Sequence, residues 1–111
     1  MAKQVLRALG LSDVITVMRQ EGLAQGAGMS RQLLPLSAAS YWQRSLEMIY
    51  NADRMEKTVT RRFFTELGDV DMAPVLAFLT CPTGQELVAL ELSAREAMMD
   101  GDIEQAARAA F

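Results

Sequence analysis

Residues 71–99 constrain the fold of this chain more than any other stretch. They read as a short apolar helix, a break at Cys81-Pro82, and a longer helix with apolar residues around well over half of its circumference. A helix with so wide an apolar arc has to be enclosed by other helices to keep that surface from water. We therefore expect residues 71–99 to lie at the centre of the folded chain.

The rest of the chain also shows helical rather than strand periodicity. No segment alternates apolar and polar residues in two-residue steps, so we expect no sheet. With 111 residues, half of them apolar, the chain has the length of one domain and the composition of an ordinary globular protein. The prediction is an all-α fold, a single-domain bundle of six to seven short helices over residues 1–111. The predicted helices cover residues 2–9, 13–25, 37–50, 53–67, 72–80, 82–99 and 103–110, with a further turn inside 30–36.

Short sequence signals predict how several of these helices begin, end and pack. Ser12 is predicted to cap the second helix, and Gly26-Ala27-Gly28 is predicted to form a turn or a frayed end after it. Phe111 is expected to dock the last helix back onto the bundle. In the helix predicted at 53–67, apolar residues recur at every fourth position and should face the core. That stripe consists of Met55, Val59, Phe63 and Leu67.

Charge and composition exclude several classes of function. The net charge is −3 and Arg61-Arg62 is the only basic cluster, so we expect no general attraction to nucleic acid or anionic lipid. The longest stretches without a charged residue, 32–43 and 72–85, contain proline and are shorter than the roughly 20 residues of a membrane span. We therefore expect a soluble chain with no membrane span and no nucleic-acid partner.

Missing residue types argue against an enzyme. The chain has no histidine and a single cysteine. This removes the commonest general base, the commonest metal ligand and every Ser-His or Cys-His nucleophile pair. One cysteine cannot close a disulfide within the chain. No catalytic residue, metal site or cofactor is therefore predicted.

The helix predicted at 82–99 carries one candidate polar site. At about 100° per residue, Glu91 and Arg95 both fall inside its apolar arc, with the acid four residues before the base. Full burial of such a pair costs several kcal/mol of desolvation, so its presence needs a reason. We favour a structural ion pair that fixes the register of the helix, because structural pairs outnumber functional ones. The functional interpretation is that Arg95 binds an anionic ligand or a partner's carboxylate in a pocket.

Cys81 and Pro82 mark the break between the two helices of residues 71–99. Proline suits the first turn of a helix, which places Cys81 at or near the N-cap, where N–H groups at the helix end can stabilise a thiolate. A redox or nucleophilic role needs a base or a resolving thiol, and the chain supplies neither. We therefore interpret Cys81 as a small capping residue.

Residues 78–87, Phe-Leu-Thr-Cys-Pro-Thr-Gly-Gln-Glu-Leu, resemble the motif of a bacterial family known as domain of unknown function 2059. That motif is an aromatic pair, a short gap, and then Ser-Pro-x-Gly with a basic residue at the start of a long helix. Phe78, Pro82 and Gly84 agree with the motif. Three residues depart from the motif: Leu79 replaces the second aromatic residue, Cys81 replaces the serine and Glu86 replaces the basic residue.

The resemblance continues at 19–23 and 90–95 and extends loosely over most of residues 11–111. It implies an all-helical fold and a bacterial source, and it places Cys81, Pro82 and Gly84 at a helix elbow. It implies no activity and no catalytic residues. Members of the family often begin with an export signal, which implies the periplasm or the cell exterior. The first residues of this chain lack the apolar segment of such a signal, so the expectation is cytoplasmic unless a signal was removed.

Two functions from different classes are favoured after these exclusions, and an enzyme ranks third, because it would need a metal or cofactor held through carboxylates alone. The first is a non-enzymatic helical module that self-associates or binds an unknown protein partner through an apolar face, which predicts a homo-oligomer or a complex. The alternative is a carrier or sensor of a small hydrophobic or amphipathic ligand, held between helices with Arg95 or Glu91 at its polar end.

Overall fold

The computed structural model describes all 111 residues and contains helices and no strand. This confirms the all-α prediction, although one helix, at 23 residues, is longer than the sequence predicts. The α-helices and one 3₁₀-helix are α1 (Ala2–Ala8), α2 (Leu11–Leu33), the 3₁₀-helix (Leu36–Ala38), α3 (Ala39–Ile49), α4 (Ala52–Leu67), α5 (Ala73–Thr80), α6 (Pro82–Ala97) and α7 (Gly101–Ala110).

The long helix α2, and not residues 71–99, lies at the centre of the molecule. It packs against α1, α3, α4 and α6, while α5 packs against α1 and α6. The most deeply buried side chains are Val5 on α1 and Ile15 and Val17 on α2. The expectation that the other helices enclose α6 is wrong, because Leu87 and Leu90 on that helix are 51% and 59% exposed. An apolar arc shows that a surface needs cover, but it does not show which molecule provides the cover.

The predicted turn at Gly26-Ala27-Gly28 is also wrong, because α2 continues through it to Leu33. Gly22 and Gly26 lie one helical turn apart and are both buried. A Cβ atom added to Gly26 would lie 2.5 Å from Leu46 Cδ2, so the glycine lets α3 approach the backbone of α2. The Trp42 indole N–H on α3 donates a hydrogen bond to the Gly26 carbonyl at 2.8 Å. These glycines therefore serve close helix packing, which turn signals do not distinguish from a loop.

The start of α2 differs from the expected cap. The N-cap of α2 is Gly10, whose φ of 72° is left-handed, and Ser12 makes no capping bond. Glycine adopts this conformation without the steric cost that a side chain adds. Asn51 caps α4 by accepting a hydrogen bond from the Arg54 N–H at 3.1 Å. The four-residue stripe of α4 is half-buried as predicted, and the helix ends at Gly68.

The C-terminal helix α7 lies at the edge of the fold. Asp100 caps it by accepting hydrogen bonds from the N–H groups of Asp102 and Ile103, at 2.9 and 3.4 Å. Phe111 does not dock the helix as expected, since its side chain is fully exposed. The ring has no apolar contact in the single chain that would offset the entropy of ordering the terminus.

The molecule is a flat slab of 52 × 36 × 17 Å. Its radius of gyration is 17.4 Å, against about 13 Å for a compact domain of this length. Only 10 of its 111 residues are buried. A slab at most two helix layers thick leaves most apolar side chains within reach of solvent, because few positions have neighbours on every side.

Candidate functional site

Arg95 forms an ion pair with α2 instead of with its own helix. Its Nε and Nη2 atoms donate to the two carboxylate oxygens of Glu21, at 3.0 and 3.1 Å. The predicted pair of Glu91 with Arg95 is therefore corrected, and Glu91 makes no salt bridge in the structure. Neither side chain is buried: those of Arg95 and Glu21 are 42% and 36% exposed. Arg95 points towards α2, whereas Glu91 lies further round the helix on the side that faces solvent.

The paired charges shift each other's proton affinity. The hydrogen bond from Arg95 lowers the pKa of the Glu21 carboxyl below its ordinary value of 4.5, and partial desolvation opposes this. The same bond raises the pKa of Arg95, with smaller contributions from the charges of Glu21 and Glu91. Both groups are therefore held in their charged forms at neutral pH. The pair connects α6 to α2 across the surface.

The structure places Cys81, Pro82 and Gly84 at an elbow between α5 and α6. Cys81 is the N-cap of α6, and its Sγ accepts a hydrogen bond from the Gly84 N–H at 3.4 Å. Gly84 is buried, and a Cβ atom there would collide with the carbonyl oxygen of Phe78. No single helix is long and apolar enough to cross a membrane; only α5 and α6 taken together, bent by 77° at this elbow, reach that length and hydropathy.

One apolar surface runs along α6 next to the side that packs on α2, and at its C-terminal end Met98 also lines a depression with Glu21 and Gln25 of α2. On a helix of about 100° per residue its members lie within roughly 80° of one another. Glu91 lies on the same side of the helix and Glu86 lies at its edge, and neither makes a salt bridge. We call this set the α6 surface. It consists of Leu87, Leu90, Ala94 and Met98, all of them exposed.

A second apolar surface lies on α3, next to the start of α4. Tyr41, Met48 and Ile49 are 71%, 65% and 61% exposed. Together with Ser45 and the arginines Arg44 and Arg54 they line a cleft of about 480 Å³, which we call the α3–α4 cleft. Neither arginine forms a salt bridge. The cleft therefore combines exposed apolar side chains with two cations that have no anionic partner in this chain.

The two surfaces lie in parts of the chain with opposite charge. Residues 69–111, which include α6, carry eight acidic and two basic side chains, a net charge of −6. Residues 1–68, which include the α3–α4 cleft, carry nine basic and six acidic side chains, a net charge of +3. Such asymmetry orients and steers association between complementary faces.

Another surface depression is more polar. A cleft of about 360 Å³ between α1, α2 and α4 is lined by Lys3, Arg7, Asp13 and Glu56, among others. No group of three or more His, Cys, Asp or Glu side chains is placed to hold a metal ion.

Sequence reasoning missed Glu21 and the α3–α4 cleft. Glu21 is 74 residues from Arg95, and no local pattern links positions so far apart. The sequence does carry a pattern that indicates the cleft, because α3 is apolar on two adjacent sides. One side packs on α2 through Trp42, Leu46 and Tyr50. The other side, with Tyr41 and Met48, remained to be covered.

Comparison with known proteins gives one match. The model of a family described as "Uncharacterized protein conserved in bacteria (DUF2059)" matches residues 53–111, from α4 to the C-terminus. This range contains the elbow and the α6 surface. The match confirms the resemblance over just over half of the chain and does not include residues 11–52 of the expected span. No curated protein and no solved structure matches the chain.

Proposed function

The chain belongs to the bacterial family of domain of unknown function 2059, and we propose that it is a non-enzymatic helical module that self-associates through its exposed apolar surfaces. The observation that carries the proposal is the area left uncovered. The single chain exposes 8345 Å², whereas a compact monomer of 12.2 kDa exposes about 6,100 Å². The excess of roughly 2,200 Å² is more than one partner loses in an interface of standard size.

The kind of residue exposed supports association. Aromatic, leucine and methionine side chains on the α6 surface and in the α3–α4 cleft form groups and are not scattered singly. Grouped apolar residues rimmed by charges are typical of protein-protein interfaces. Burial of one such surface contributes about 25 cal/mol per Å² of apolar area before the cost of association is subtracted.

The alternative function, a carrier of a small hydrophobic or amphipathic ligand, has less support. Its expected polar anchor, Arg95, is already bonded to Glu21. The cleft between α1, α2 and α4 is lined mainly by polar and charged side chains, whereas sites for apolar ligands are lined mainly by apolar ones.

The test is native mass spectrometry of the purified protein, combined with light scattering over a hundredfold range of concentration. We expect masses that are multiples of 12.2 kDa and that shift to larger species as concentration rises. A bare monomer at every concentration would contradict self-association and direct the search to a different protein partner. A monomer with a reproducible added mass would instead support the carrier.

The periplasm is the proposed location, on the basis of the family resemblance alone. The test is fractionation of cells that express the tagged protein from its natural gene. We expect the tag in the periplasmic fraction, and recovery with a cytoplasmic marker would contradict this location.

A further inference from the structure

We propose that the α6 surface of one copy packs into the α3–α4 cleft of a second copy, a head-to-tail contact between two unlike surfaces. This inference rests on the proposed self-association and specifies which surfaces meet. The occupant of the cleft is α6 of a second copy. Amphipathic helices of this kind bind grooves through apolar anchors spaced three and four residues apart.

Charge favours contact between unlike surfaces. Glu91 and Glu86 accompany the α6 surface, and Arg44 and Arg54 line the α3–α4 cleft. None of the four forms a salt bridge within the chain. A two-fold contact between two α6 surfaces places carboxylates opposite carboxylates, and one between two clefts places arginines opposite arginines, which is unfavourable in both cases. The head-to-tail contact instead provides a carboxylate for each arginine.

The area of exposed surface also favours contact between the α6 surface and the α3–α4 cleft. A standard interface buries about 800 Å² on each partner. A dimer in which either surface meets its own copy leaves the other surface exposed. When the α6 surface meets the α3–α4 cleft, each copy can use both surfaces, which together cover most of the roughly 2,200 Å² that the chain exposes beyond a compact monomer.

The lengths of the two surfaces are also compatible with this contact. Leu87 and Met98, at the two ends of the α6 surface, are separated by about 17 Å along the helix axis, and Tyr41 and Ile49 by about 12 Å. Ala94, between Leu90 and Met98, has a small side chain that permits close approach of a second helix. Contacts of this kind either close reciprocally in a two-fold dimer or repeat from copy to copy, forming a ring where the rotation closes and a filament where it does not.

The experiment mixes two variants, each of which lacks one surface. The α6 variant carries Leu87→Gln and Leu90→Gln, and the cleft variant carries Met48→Gln and Ile49→Gln. Glutamine is neutral and a good helix former, and all four positions are exposed, so circular dichroism should show that both variants fold. We expect each variant to be monomeric alone and the equimolar mixture to form a 1:1 heterodimer and nothing larger.

The outcomes separate this inference from the proposed function. If the wild type assembles but the cleft variant still dimerises and the mixture forms no heterodimer, the head-to-tail contact is wrong. Self-association is then still supported. A wild type that is monomeric at every concentration overturns both. If the protein is a monomer that binds anionic lipid vesicles, and the cleft variant loses this binding, the inference is also wrong. The occupant of the cleft is then a lipid surface.

Charge reversal provides an independent measurement. Glu91→Arg and Arg44→Glu should each raise the dissociation constant about tenfold or more, because each places like charges together. A mixture of the two variants should recover association, since the reversed charges face each other. The control is Glu96→Arg, which lies on a different side of α6 from the surface and should leave association unchanged. Equal weakening by the control would contradict the contact.

Discussion

At the scale of single residues, glycines determine how closely the helices approach. α2 contains three glycines in sequence positions that resemble a loop, yet all three are helical. Gly26 is buried under Leu46, whereas a Cβ atom on Gly28 meets only the end of the Arg31 side chain, at 3.8 Å. Identical residues two positions apart therefore have different physical roles.

Alanine at these two glycines should have opposite effects. Gly26→Ala is expected to lower the free energy of unfolding by about 1–3 kcal/mol, because its Cβ forces Leu46 and α3 away from α2. Gly28→Ala should raise it by about 0.5–1 kcal/mol, since alanine restricts the unfolded chain and nothing obstructs it in the helix. Urea unfolding followed by Trp42 fluorescence measures both. A stabilising Gly26→Ala would show that the close approach of α3 is not needed.

Gly84 at the elbow should tolerate substitution least. Its Cβ would meet backbone atoms of Phe78 and Leu79, which cannot move aside as a side chain can. We expect Gly84→Ala to cost about 2–4 kcal/mol or to prevent folding. Gly101→Ala is the matched control, because nothing lies within 4 Å of a Cβ there. Thermal unfolding by circular dichroism measures both, and equal melting temperatures would contradict the predicted clash.

At the scale of helices, the ion pair of Glu21 and Arg95 connects α6 to α2. Because the bond lowers the pKa of Glu21, its contribution to stability is present above the ordinary carboxyl pKa of 4.5 and is lost as the pH falls through the lowered value. Arg95 stays protonated throughout this range. Both side chains are more than a third exposed, so water and salt limit the contribution to roughly 1 kcal/mol or less.

Glu21→Gln should therefore destabilise the protein by roughly 0.5–1 kcal/mol at pH 7, and this cost should shrink as the pH falls below 4.5 and through the lowered pKa of Glu21. Urea unfolding at pH 7 and at a series of acidic pH values measures this change. Glu96→Gln is the control, because Glu96 makes no salt bridge and lies outside the α6 surface. If Glu96→Gln costs as much as Glu21→Gln at pH 7, the ion pair does not stabilise the protein.

Much of the helix pattern could be predicted from the sequence, because it depends on neighbours three and four residues apart. The half-buried stripe of α4 and the break at Cys81-Pro82 are examples. Prediction failed where an amphipathic helix has two apolar sides. On α3 and α6 the apolar residues exceed what one packing partner covers, and periodicity does not indicate which side faces the core of the same chain.

At the scale of the whole molecule, the proposed self-association links stability to assembly. If exposed apolar surface is buried between copies, association stabilises the folded state by mass action. The melting temperature of the wild type should therefore rise by several degrees between about 5 and 500 µM protein. The Leu87→Gln, Leu90→Gln variant should show no such dependence. Differential scanning calorimetry measures both, and a wild-type melting temperature independent of concentration would contradict the role assigned to these surfaces.

The sequence by itself determined the class of fold, the helix elbow at residues 81–84, and the presence of more apolar surface than one small chain covers. Only the tertiary structure decided that α2 is the central helix, that Arg95 pairs with Glu21, and that the α6 surface faces solvent. The physical reason is the range of each interaction. Helix formation and capping depend on residues within one or two turns, whereas burial depends on how all the helices pack together.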